Sequence, residues 1–110
     1  MGRRENPIDV RSGALARFAS ELRGLRAGAG GPSYRHMASR AFYSPSTLSQ
    51  AASATVVPSL EVTLAFVRAC DGNEAHWARR WELLQREIGE EKNPARQTPV
   101  GRLTSLQQTA

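Results

Sequence analysis

Cysteine is almost missing from this sequence. The single Cys70 rules out an internal disulfide framework and any zinc site built on cysteines. It lies in an apolar helical stretch and reads as a small core residue. Aromatics are scarce at 6% of the chain, yet Trp77 and Trp81 sit close together. No uninterrupted run of about 18 apolar residues occurs, which excludes a membrane span. The leading MGRRENPIDVRSG is charged and lacks an apolar core, so it is not a secretory signal. These absences place the protein in the cytoplasm.

Catalytic and metal-binding patterns are absent too. His36 and His76 are far apart, and no Cys or carboxylate stands at ligand spacing beside His36, so no metal site is expected. No nucleophile elbow, P-loop or paired-carboxylate arrangement is found. The glycine-rich AGAGGP at 27–32 lacks the lysine and the preceding strand that a phosphate cradle needs. With 110 residues there is room for one small core and little space for a separate active-site cavity. We therefore expect neither an enzyme nor a cofactor.

What the chain does have is basic charge and helical periodicity. The net charge is +5, a balance that favours a polyanionic partner. Residues 1–11 carry +1, 12–72 carry +3, 73–92 carry −1 and 93–110 carry +2, so the last helical segment is the poorest surface for a polyanion. Residues 1–11, with Pro7, read as a flexible N-terminal arm, in which Arg3, Arg4 and Arg11 could enter a minor groove or simply be solvated. Ser12 offers a cap for a helix over 13–27, whose stripe is Leu15, Phe18, Ala19, Leu22 and Leu25. AGAGGP stops it. Ser33 caps a second helix to 41, with Met37, Ala38 and Ala41 inward, and Phe42-Tyr43 make a turn. Ser44-Pro45 is a strong start signal for a third helix to 53, with Leu48 and Ala52 inward.

Thr55-Val56-Val57-Pro58 is extended, because residues before proline avoid helical angles. Ser59 caps a fourth helix over 60–70 that is apolar on two faces, hence packed on two sides. Asn73 caps a fifth over 74–90, in which Trp77, Trp81, Leu84 and Ile88 form a seam about two heptads long. The tryptophans fall on the buried stripe, with Arg79 and Arg80 off it. Residues 91–110 read as a disordered tail or linker. No strand alternation appears. The expectation is an all-α, five-helix domain over 12–90.

Function concentrates in the stretch 33–53. Reading a duplex takes a slim helix that enters the major groove and a second helix that braces it on the backbone. The third helix turns outward Pro45, Ser46, Thr47, Ser49, Gln50 and Ser53. Small hydroxyls approach base edges closely, and glutamine pairs bidentately with adenine.

The segment SYRHMASRAFYSPSTLSQAASATVVPSLEVTLAFV resembles the lambda-repressor-like (Xre/Cro) helix-turn-helix family, and more specifically its actinobacterial subset. Ser33, Met37-Ala38, Ser44, Leu48-Ser49 and Pro58-Ser59-Leu60 fall in register with that pattern, and the likeness covers about residues 12–88. The resemblance implies a transcriptional regulator that binds double-stranded DNA. Ser33, Tyr34 and Arg35 would sit at the phosphate backbone, and Ser44, Pro45, Ser46, Thr47, Ser49 and Gln50 would face the groove. Arg40 and Ser53 complete the expected DNA-binding set, and a homodimer would form through the fourth and fifth helices.

Three departures stand out. The family often has glycine in the turn, where Phe42 stands here, and glycine after the recognition helix, followed by arginine before the proline. This chain has Ala54, Thr55, Val56 and Val57 there. The absent arginines would have gripped phosphate. The alternative is a protein-interaction module on the same scaffold, with Val56 and Val57 as contacts. Similar domains also begin larger regulators or signalling NTPases.

Overall fold

The computed structural model describes residues 7–92. Arg3, Arg4 and the segment from 93 onward lie outside the described residues. Within that range the protein is all-helical: α1 spans Ala14–Gly28, α2 Tyr34–Ala41, α3 Pro45–Ala51, α4 Leu60–Ala69 and α5 Glu74–Lys92, with a single 3-10 turn at Val10–Ser12. No helix among the described residues is long and apolar enough to cross a membrane.

Three helix starts follow one local device. Ser33, Ser44 and Ser59 each adopt an extended backbone, and each hydroxyl accepts from an N–H three residues on: His36, Thr47 and Val62. Each cap satisfies one of the amides that a helix start leaves orphaned, typically stabilising it by about 1 kcal/mol. Asn73 does the same for α5 through its side-chain oxygen, which accepts from the His76 amide at 2.9 Å.

The start of α1 is different from the expectation. Ser12 is not its cap. Its hydroxyl donates back to the Asp9 carbonyl at 2.7 Å, within the 3-10 turn that Asp9 itself caps. Gly13 holds the cap position and brings no side chain. The Ala14 amide instead donates to the Glu91 carboxylate at 2.7 Å. Gly13 has φ +146°, and a Cβ there would lie 3.3 Å from that carboxylate, so glycine suits the position on both counts. Glu91 belongs to the last turn of α5, which runs to Lys92, past the boundary expected at 90.

α4 is the central helix and packs against α2, α3 and α5. Phe18 and Leu22 of α1, Met37 of α2, Leu48 of α3, Phe66 and Val67 of α4, and Trp77 and Leu84 of α5 close one core. Trp77 meets Phe18 edge-on at 5.7 Å, and Trp81 donates its indole N–H to the Pro58 carbonyl at 2.9 Å. The seam Trp77, Trp81, Leu84, Ile88 is thus spent on the protein's own core, with Trp81 and Ile88 at its edge. Arg80 departs from the outward position expected for it. Its side chain is only 12% exposed, ion-paired to Glu21 at 2.7 Å and to Glu87 at 3.5 Å, with its guanidinium 5.3 Å from the Phe18 ring. Cys70 is buried.

Candidate nucleic-acid interface

α3 is anchored from below and left bare above. Leu48, Ala51 and Ala52 are fully buried and fix its inner face. Arg23 reaches across from α1 and donates its Nε–H to the Ala52 carbonyl at 2.7 Å, holding the C-terminal end. Outward, Pro45, Ser46 and Gln50 are exposed, while Thr47, Ser49 and Ser53 are half-buried. The helix itself ends at Ala51, two residues before the expected end at 53, because Ala52 closes it and the chain turns through Ser53. Pro45 to Ala51 lies at the surface as a slim helix with small polar side chains. It is not sunk beneath other helices.

The hydroxyls are not equivalent. Ser44 Oγ accepts from the Thr47 amide at 3.1 Å and lies 2.8 Å from Thr47 Oγ1 and 3.3 Å from Ser46 Oγ. Ser53 Oγ donates to the Gln50 carbonyl at 2.7 Å and lies 2.6 Å from Thr55 Oγ1. Ser44 and Ser53 therefore shape the two ends of the helix. The Ser49 hydroxyl and the Gln50 amide have no partner among the described residues; with Ser46, whose hydroxyl makes a single long contact to Ser44, they are the groups best placed to meet a ligand.

Of the residues expected at the backbone, Ser33 caps α2 and is exposed. Arg35 is exposed and makes no ion pair among the described residues. Tyr34 is half-buried: its ring tilts against Phe66 at 6.3 Å, and the Arg26 guanidinium lies 4.4 Å above it. Arg40 is used otherwise than expected. Its guanidinium donates to the Ala69 carbonyl at 3.1 Å and to Asp71 at 2.9 Å, so it ties α2 to the C-terminal end of α4. The hydrogen bond and charge of Asp71 raise its pKa above the ordinary value. The physical reason is the helix end: the last carbonyls of α4 lack intrahelical partners and attract a cation.

Charge around α3 is one-sided. No acidic residue occurs between Glu21 and Glu61, a stretch that carries Arg23, Arg26, Arg35 and Arg40. Between Arg40 and Glu61 there is no charged residue of either sign. Two backbone features flank the helix. Phe42 has φ +62° and Ala54 φ +65°, both left-handed. Around them Phe42 is 90% exposed, and Tyr43, Val56 and Val57 are exposed as well. The resemblance marks both Phe42 and Ala54 as positions where the family often has glycine, and the backbone gives the physical reason, a left-handed conformation that suits glycine. Among the described residues no cluster of His, Cys, Asp and Glu side chains could hold a metal ion.

Comparison of the chain with protein-family models, with curated proteins and with solved structures finds no match.

Proposed function

We propose that this chain is a sequence-specific regulator that binds double-stranded DNA in the manner of lambda-repressor-like (Xre/Cro) helix-turn-helix domains, working in the cytoplasm without catalysis of its own. One observation carries the reading. A seven-residue helix, held by buried Leu48, Ala51 and Ala52, offers Ser46, Ser49 and Gln50 outward from a stretch of sequence, 22–60, that contains no acidic residue. α2 braces it, and Ser33 and Arg35 at the start of α2 face phosphate. Arg40 leaves the contact set and becomes a positioning residue for α2.

A homodimer would set two copies of α3 in successive major grooves, about 34 Å apart. The seam of α5 is already used inside, so its dimer surface is the outer face, where Leu83 is the exposed large apolar residue.

The test is equilibrium binding of the full chain to random-sequence and genomic duplexes across salt. We expect binding that weakens with salt, and a salt slope about one unit shallower for Arg35→Ala. Absence of binding to any duplex at low salt refutes the reading. A second reading, a protein-docking module, is favoured by exposed Phe42, Val56 and Val57. A stable protein complex with no DNA enrichment would select it.

A further inference from the structure

We infer that the base pairs read by α3 are A·T pairs, contacted through Ser46, Ser49 and Gln50 and through apolar side chains that meet thymine methyl groups. This rests on the DNA-binding reading above and names its target.

The inference comes from what the reading surface can and cannot pair. In the major groove guanine shows two acceptors, N7 and O6, and is read best by the forked donors of arginine or by lysine. Cytosine shows an N4 donor, which carboxylates accept. From Ala41 to Leu60 the chain contains no arginine, lysine, aspartate or glutamate. Arg40 and Arg23 are committed elsewhere: Arg40 to Ala69 and Asp71, and Arg23 to the Ala52 carbonyl. Neither fits a guanine without giving up a bond that holds the fold.

Adenine shows an N7 acceptor beside an N6 donor, a pair that one carboxamide satisfies at once. Gln50 supplies that carboxamide, exposed and without an internal partner among the described residues. On a helix, positions 46, 49 and 50 share a face. Ser46 and Ser49 therefore stand beside Gln50, and hydroxyls accept or donate as the neighbouring base requires. Ser53 lies in the turn after α3, and its hydroxyl is spent on Gln50 and Thr55.

Thymine is the base with a methyl group in the groove, and apolar side chains read it. Phe42 and Tyr43 stand just before α3, and Val56 and Val57 just after it, all exposed. The hydrogen-bonding strip thus has apolar shoulders at both ends, where phosphate-gripping cations would otherwise be expected. Seven residues at about 1.5 Å rise span roughly three base steps of about 3.4 Å, so the core of the site is short.

The experiment selects duplexes from a random 20-base-pair library with the full-length chain at low salt, followed by sequencing. The selected duplex is then compared with two altered forms. In one, thymine is replaced by uracil, which deletes the methyl. In the other, single A·T pairs are exchanged for G·C. Gln50→Ala is measured in parallel, with its fold checked by circular dichroism.

The expected core is A·T. Exchange for G·C weakens binding roughly five- to hundredfold at the Gln50 position. Loss of one contacted methyl weakens it about fourfold. Gln50→Ala erases the preference at one pair only. A G·C core that Gln50→Ala leaves intact overturns the inference while DNA binding stands. So does an A·T core indifferent to both uracil and Gln50→Ala, since that preference would come from duplex shape. Retention of no duplex removes the DNA-binding reading itself, and the inference with it.

Discussion

Replacing Phe42 by glycine should make the protein more stable, an outcome opposite to the usual result of deleting an aromatic side chain. Phe42 occupies a left-handed conformation at φ +62°, which costs an L-residue roughly 1–2 kcal/mol. At 90% exposed, it returns little by burial. A tenth of about 200 Å² at about 25 cal/mol/Å² is about 0.5 kcal/mol. Glycine removes the strain but adds freedom to the unfolded chain, a loss of about 0.4–1 kcal/mol. The balance runs from a loss of about 0.5 kcal/mol to a gain of about 1 kcal/mol, centred on a small gain, or up to several degrees in melting temperature for a domain of this size. Phe42→Ala is the control, since alanine loses the ring and keeps the strain.

Thermal and urea melts of Phe42→Gly, Phe42→Ala and the parent give the answer. Glycine should exceed alanine by about 1 kcal/mol. Equal stability of the two variants would refute the account of strain at this turn. If Phe42 meets a duplex, the glycine variant will also bind DNA more weakly, so that a costly backbone state is held in exchange for a contact.

Thr63 is fully buried, and its hydroxyl has no hydrogen-bond partner among the described residues. Thr63→Val should stabilise by about 1 kcal/mol, read by urea titration, and a loss of stability would mean that the hydroxyl is satisfied. Glu91→Ala leaves the Ala14 amide without its acceptor and should cost about 1 kcal/mol, with faster amide exchange in the first turn of α1, whereas Glu91→Gln should recover part of the loss. Burial pushes the Cys70 thiol pKa up, so alkylation at neutral pH should be slow in the native state and fast after unfolding. The folded state then holds this proton more tightly than the unfolded one. The stability it contributes is complete below the unfolded thiol range and declines as pH rises past about 8.5, which a Cys70→Ala variant should not show.

Much of this fold is written locally. Ser33, Ser44-Pro45, Ser59 and Asn73 mark helix starts because a cap bonds three residues on, well within the reach of sequence reading. The inward stripes of α2 and α4 follow from periodicity, as does that of α1 apart from Leu15, which is half-buried outside the core while Ala14 and Ala16 are buried, and so does the inward turn of Trp77 and Leu84. What escaped was settled by partners distant in the chain. Glu91 replaces Ser12 as the cap of α1 across 77 residues. Arg80, placed outward by its charge, is drawn in by Glu21 across 59. Arg40 looks like a free cation in the sequence, yet it closes the end of α4. At the candidate interface the outward set of α3 was legible. Which hydroxyls serve the helix itself was not, because that depends on distances of about 3 Å.

The bond between Ala14 and Glu91 has a topological consequence. Entry into the first long helix and exit from the last lie side by side, so the bundle closes on itself like a ring with one clasp. The start of α1 and the end of α5 thus share one pole of the bundle. A circular permutant, opened in the loop before α2 and joined across this clasp by a short linker, would preserve every helix and every core contact.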